Sequence, residues 1–405
     1  MKILKRVTAV LLTAVVAVSF TACGGRSEHA KKLNIDTAVS INIWYQDDAY
    51  TSYLDYIAQQ FHKANEFITV NPVKVEENNL LDAVYNGSIA QNNVADVYLM
   101  EASDMQRAYL MGLTAENDAY TQYYSQKHFP VTAVNAACYE GKLYGYPVTF
   151  HTAVMVYNKK YATAPENFEQ IEAFLNSYQV TDENKDVNMI VGWDTQDLWT
   201  NYAFGGSYVD NGGAQGEEAE SDVQTEALKA AMTEYAALQN TFGIVDKTQE
   251  EYKQMFINNQ LIYTILDSTQ LADLNASGVD YGICAVPGAK TGFGTQSLSD
   301  TTLAMVNPYS ENTDTAKAVA QAISYDYADL LEKDTGYISA RTDVADKNKK
   351  VLSQPLYEVY AQSDSYAKYI GADEFYVRYS ILLHNIWKGE DLNESVDAFI
   401  KAVSR

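Results

Sequence analysis

Apolar positions recur along this chain in two alternating rhythms. Val39-Ser40-Ile41-Asn42-Ile43-Trp44-Tyr45 alternates as a strand does, and Gln46-Asp47-Asp48 stops it and opens a helix. Tyr50, Tyr53, Leu54, Ile57, Ala58 and Phe61 then share one helical face. Residues 70–76 predict a strand, 80–89 a helix and 95–100 a strand, after which Ser103 opens the next helix. Strands and helices in this order predict βαβ units, and so an α/β fold with parallel strands.

The rhythm changes further on. Gly141-Lys142-Leu143-Tyr144-Gly145-Tyr146-Pro147 reads as a turn-rich hairpin, and residues 148–157 as one long strand that stops at Asn158-Lys159-Lys160. A strand of that length suits a crossing between two lobes. From Phe168 onward helices dominate, over 168–175, 225–240, 250–258, 314–323 and 375–387. Two strands interrupt them, at 262–266, closed by Asp267-Ser268-Thr269, and at 280–286, closed by Pro287-Gly288. Residues 206–221, rich in Gly and Glu, read as a surface loop.

In an open α/β sheet ligands sit beyond the carboxyl ends of the strands. That rule selects Trp44, Asp47 and Asp48 after the first strand, Glu101, Ser103 and Asp104 after the third, and Asp267 and Ser268 after a later one. Aromatic rings cover the apolar faces of a sugar, and carboxylates accept its hydroxyl protons, so this mixture fits a carbohydrate. Each residue also has a structural alternative. Trp44 could belong to the core, and Asp47-Asp48 could cap the helix.

The first residues carry a different signal. Lys2, Lys5 and Arg6 precede an apolar run from Val7 to Phe20, followed by Phe20-Thr21-Ala22-Cys23-Gly24-Gly25. A basic, an apolar and a small-residue region in this order form a bacterial export signal, and the cysteine after the cleavage site resembles a lipobox, with Phe20 where Leu is usual. The reading is a signal peptide over 1–22, lipidation at Cys23 and a polar tether over 23–38; the alternative is an ordinary signal with an incidental cysteine. No other apolar run reaches the roughly 18 residues of a membrane span.

Composition narrows the function. A net charge of −24 argues against nucleic acid or an anionic membrane surface as a direct ligand. Cys138 and Cys284 could pair in an exported protein, but two buried thiols are preferred, because free cysteine packs as a small hydrophobe. The five histidines form no zinc motif, and no phosphate-binding loop occurs, so neither metal nor cofactor is expected.

The segments resemble a known family. Ala95-Asp96-Val97-Tyr98 with Met111-Gly112-Leu113, the block Gly141–Pro147 with Val156-Tyr157-Asn158-Lys159, Tyr281-Gly282-Ile283 with Val286-Pro287-Gly288, and Gly336 with Ala340-Arg341 are similar in order and spacing to extracellular solute-binding proteins of ABC importers, the sugar-binding group of the maltose-binding-protein kind. The resemblance implies a two-lobe periplasmic-binding-protein-like fold, each lobe a mainly parallel sheet flanked by helices, with a ligand cleft at the hinge. It implies lobe I at 39–148 plus 281–325 and lobe II at 149–280 plus 326–405. It further implies a monomer that does no chemistry on its solute and passes it to permease subunits.

The resemblance adds site positions. His151 aligns with a ligand-facing polar residue, Trp193, Gln196 and Trp199 with a loop that stacks an aromatic ring on sugar, and Phe375 and Arg378 with a cleft-closing helix. His151 could instead be a satisfied core histidine and Arg378 half of a structural ion pair. Asp267-Ser268-Thr269 stands where the family often has Gly-x-Trp, which removes one stacking platform. A secreted glycosidase, or a surface receptor or adhesin of the same fold that feeds no transporter, are the alternatives.

Overall fold

The computed structural model describes residues 33, 35–76, 79–92, 94–212, 216–219, 221–344 and 353–404. The export signal, the lipidation at Cys23 and most of the tether expected from the sequence fall outside the described residues.

Among the described residues nine strands join in one hydrogen-bonded sheet: β1 (Val39–Tyr45), β2 (Ile68–Lys74), β3 (Val97–Glu101), β4 (Tyr146–Asn158), β5 (Met189–Val191), β6 (Leu261–Asp267), β7 (Tyr281–Cys284), β8 (Leu298–Val306) and β9 (Asp364–Ser365). The main order is β2-β1-β3-β8-β4-β6-β5, with β7 beside β4 and β9 beside β8. The outer pairs of each half are parallel, β1 with β2 and β3, and β6 with β5. Antiparallel pairing enters where β4 and β8 run between the halves.

The thirteen residues of β4 change partners midway. Tyr146 to Thr152 pair with β8, whereas Ala153 to Tyr157 pair with β6 and Met155 to Asn158 with β7. One strand therefore belongs to both halves, as the length of the 148–157 run predicts. Pro147 lacks the N–H that a ladder needs, and the register between β4 and β8 shifts there, where Thr302 faces Thr149 and Leu303 faces Pro147.

Helices cover both halves. In α1 (Thr51–Ala64), Tyr53, Leu54, Ile57 and Phe61 are buried, the face its spacing predicts. Helices α2 (Phe168–Ser177), α3 (Leu198–Gly206), α4 (Thr225–Phe242), α5 (Ala372–Trp387) and α6 (Leu392–Val403) build the second half, where α5 and α6 pack together against α4. An aromatic cluster fills the space between them, with Phe375 5.7 Å from Phe399 and Tyr235 5.1 Å from Trp387 between ring centroids.

Several expectations are corrected. Residues 281–284 pair with the far half of β4, not with the first sheet, and the chain rejoins that sheet only at β8. The stretch after 326 first packs on α1, with Tyr327 5.7 Å from Tyr56. Residues 206–221 are not simply a surface loop. Val209-Asp210 pairs with Asp222-Val223, and the buried Asn211 donates to the Tyr376 hydroxyl at 2.7 Å. Cys138 and Cys284 remain free thiols, and both are half-buried rather than buried. Among the described residues no helix is long and apolar enough to cross a membrane.

Candidate functional site

The carboxyl ends of β1, β3 and β6 meet the two crossing strands at one place. Asp47 follows β1; one of its carboxylate oxygens caps the Ala49 N–H at 2.9 Å, and the other accepts from the Tyr337 hydroxyl at 2.7 Å. Tyr337 arrives because Gly336, at φ 78, ends a helix in the left-handed region that disfavours side chains. It packs edge-on to Tyr50, whose hydroxyl shares a 2.6 Å hydrogen bond with Thr149 on β4.

Glu101 ends β3. One carboxylate oxygen accepts from Thr302 of β8 at 2.9 Å, and the other is buried with no hydrogen-bond partner. Burial, reinforced by the charge of Asp300, pushes the Glu101 carboxyl up from its usual range. Asp300 lies on β8 directly across from His151 on β4. It accepts from the Thr301 N–H at 2.7 Å and from Ser103, and burial raises it too, against the pull of His151.

His151 Nδ1 lies 2.9 Å from a carboxylate oxygen of Asp267 at the end of β6. Burial alone would lower the imidazole, but Asp267, Glu101 and Asp300 together hold it up at about 9. The same pair keeps Asp267 below the ordinary carboxylate range despite its burial. The other Asp267 oxygen takes the Thr269 N–H and hydroxyl, at 2.9 and 2.7 Å. Ser268 accepts from the Thr152 N–H at 3.1 Å, close to where β4 changes partners.

Aromatic rings extend this cluster. The indole of Trp199 lies 4.4 Å from the His151 ring, and Tyr366 stacks at 5.7 Å on Trp199. Tyr366 stacks in turn on Tyr376 at 3.8 Å and donates to Asp373 at 2.8 Å. Two rings and the imidazole thus lie together next to the end of β6. A cavity of about 250 Å³ opens between Tyr45, Asp47, Tyr50, Glu101, Asp104 and Thr302, with Arg107 at its edge. A second, of about 340 Å³, shares Asp104 and Arg107 and reaches Asp373. Among the described residues no three His, Cys, Asp or Glu side chains group as metal ligands.

Of the residues read from sequence, Asp47, Glu101, Ser103, Asp104, His151, Trp199, Asp267 and Ser268 come together here. The others do not. Trp193 is fully buried, with Nε1 donating to Asn201 at 2.8 Å and its ring against Phe168, Phe204 and Trp387, so it is core and not a platform. Trp44 packs with Leu80, Tyr98 and Met305 in a second core, and Phe375 is buried against Tyr376 and Phe399. Asp48 points into solvent and pairs with Lys74 at 2.8 Å. Arg378 is exposed and pairs with Glu374 one helical turn away, at 3.6 Å, and Gln196 is an exposed turn residue.

Asp300, Thr302, Tyr50, Tyr337 and Tyr366 were not legible as site residues. Asp300 carried a signal, an acidic residue inside the otherwise β-prone run 298–306, flanked by Ser and Thr.

Two halves joined by shared strands around a polar and aromatic cleft define the two-lobe binding-protein class. The chain belongs to the bacterial extracellular solute-binding protein family, whose sequence profile matches residues 56–358. It is 23% identical over 303 residues to the maltodextrin-binding protein MdxE of Bacillus subtilis, covering 71% of this chain and 69% of that protein. In fold it is similar to a cyclo/maltodextrin-binding protein solved with maltotetraose, at TM-score 0.75 and 14% identity, covering 91% of this chain and 97% of the other. It is also similar to the Thermus thermophilus maltotriose-binding protein solved with maltotriose, at TM-score 0.69 and 16% identity, covering 90% and 98% of the two chains.

Proposed function

We propose that this protein is an extracytoplasmic receptor, anchored by lipidated Cys23, that captures a saccharide between its lobes and delivers it to the permease of an ABC importer. The observation that carries the saccharide reading is the Trp199–Tyr366 ring pair set beside His151, with the incompletely paired carboxylate of Glu101 in the same cluster. Rings of this kind cover sugar C–H faces while carboxylates accept the hydroxyl protons around the rim. The relatives that bind maltodextrins support the same class. Lobe I would comprise β1 to β3, the first half of β4 and β8; lobe II would comprise the second half of β4, β5 to β7 and α2 to α6. The protein acts as a monomer and does no chemistry on its solute. For the glycosidase alternative, Asp300 is the available partner of Glu101, but its carboxylate is held by Ser103 and Thr301 within its own wall.

Closure on the solute is the test. Solution scattering should show a smaller radius of gyration with saturating ligand, because the closed form must bind more tightly than the open one. Trp199→Ala should weaken saccharide binding by about 2–3 kcal/mol with little loss of stability, since the ring is only half-buried. Unchanged affinity in calorimetry, or unfolding of the variant, would remove the platform role.

The anchor has its own test. Cys23→Ala should move the protein from the membrane fraction to the soluble one, or leave it unprocessed, with its fold intact. Detergent-requiring retention of a normally processed variant would contradict lipidation.

A further inference from the structure

Among the described residues the bases near the cleft are engaged, Lys368 by the carbonyls of Asn135 and Cys138, whereas Glu101 keeps a buried carboxylate oxygen without a donor. Arg107 is held by Asp82 at 2.9 Å, and His151 by Asp267 at 2.9 Å. Tyr337 serves Asp47, and Ser103 serves Asp300. Glu101 receives a single hydrogen bond, from Thr302, and its second oxygen is buried without a donor. Glu101 lines the cavity of about 250 Å³ together with Asp47, Asp104 and Tyr50, its unpaired oxygen lying buried behind that wall. Native proteins rarely leave a buried polar atom unpaired, because its desolvation is then uncompensated.

The charge balance points the same way. Glu101, Asp300 and Asp267 surround the imidazole of His151, and Asp47 and Asp104 border the cavity, so acidic groups exceed basic ones there. A neutral hydroxyl would satisfy one lone pair of Glu101 but leave this excess in place. An ammonium would supply the missing N–H donor together with the missing charge, and Tyr50 lines the same cavity. A cavity of this size, below the roughly 300–1,000 Å³ of drug-sized sites, holds one ring-sized unit.

We propose that the solute carries a free amine, and that Glu101 seats it as an ammonium in the Asp47–Tyr50–Glu101–Asp104 cavity. The inference rests on the saccharide-receptor reading and refines it to an amine-bearing sugar.

The charged groups around the amine are Glu101, Asp104 and Arg107 beyond β3, Asp47 beyond β1, Asp300 of β8, His151 of β4 and Asp267 of β6. Burial raises the Glu101 carboxyl, so a bound cation should stabilise its ionised form and expel a proton near neutral pH.

Calorimetry with three probes decides the matter: glucosamine, N-acetylglucosamine as its neutral counterpart, and 1,5-diaminopentane as an amine without a sugar ring. Glucosamine should bind at least about tenfold more tightly than N-acetylglucosamine, weaken as salt rises, and release protons when buffers of different ionisation enthalpy are compared. Glu101→Gln, which keeps the shape, should abolish both the preference and the proton release, and Asp47→Asn should reduce the preference partly. Equal or tighter binding of the neutral sugar, absence of glucosamine binding, or a preference that survives Glu101→Gln would each overturn the proposal. Maltotriose binding with lobe closure but no amine preference would overturn the ammonium site alone. Diaminopentane binding as tightly as glucosamine, with the same loss in Glu101→Gln, would support the ammonium site and sink the saccharide reading.

Discussion

Trp193→Ala is expected to destabilise the fold by about 3–5 kcal/mol, the cost of emptying a large core site that relaxes only in part. The ring is fully buried and meets Phe168 at 5.5 Å, Phe204 at 5.7 Å and Trp387 at 5.5 Å. Its Nε1–H also satisfies Asn201, whose oxygen takes the Tyr235 hydroxyl as well, at 2.9 Å. Asn201 ties the preceding turn to α3 by donating to the carbonyls of Asp194 and Asp197 at 2.8 and 2.7 Å. Removing the indole therefore opens a cavity and loosens a polar knot at once. Equilibrium unfolding in urea should show the midpoint fall. A variant of wild-type stability with weakened ligand binding would restore the platform reading of this residue.

The second large effect is a loss of stability as the solution becomes alkaline. His151 is raised to about 9 in the folded protein, mainly by Asp267 acting against burial. A base raised on folding contributes stability that is complete below its unfolded value of about 6.5 and disappears as pH climbs through the folded one. The expected loss between those limits is roughly 3 kcal/mol, since a shift of one unit is worth about 1.4 kcal/mol. The His151 side chain is only 23% exposed, so solvent screens the pair weakly. Glu101, Asp300 and Asp364 act in the same sense over a lower range. Each is a carboxyl raised by burial, Asp364 to about 7, so the unfolded chain ionises first and stability falls as pH rises through that range. Asp267 opposes them at the acid end. Its depressed carboxyl contributes stability above the ordinary carboxylate range, which is lost as pH falls through the folded value. Urea midpoints at pH 6, 7, 8 and 9 should decline, and His151→Gln should flatten the decline above pH 7. An equal slope in that variant would show that the pair does not control it.

The sequence reading succeeded where the signal was local. The alternation in β1, the apolar face of α1 and the length of β4 each depend on neighbours a few residues away, and each appears as read. The candidate site was half legible because the strand-end rule is also local: it found Asp47, Glu101, Ser103 and Asp267. It could not separate Trp193 from Trp199. Trp193 lies in the connection after β5 and Trp199 in the first turn of α3, and only the tertiary packing turns one into the Phe168–Phe204 core and the other toward His151. Asp300 escaped for a related reason. Its role depends on lying across from His151, a pairing between residues far apart in the chain that no local pattern encodes.

The position of β8 also has a consequence for how the chain comes to be folded. β8 lies between β3 and β4, so Val97 waits for Val306 as its partner and Tyr146 waits for Ala304. Until that late segment is made, the early βαβ units carry an open sheet edge and cannot close their core. Long-range pairings of this kind slow folding, because a large loop must be ordered before any contact rewards it. A chain whose first half cannot complete its own sheet reaches its native topology only after the segment containing residues 298–306 has been made.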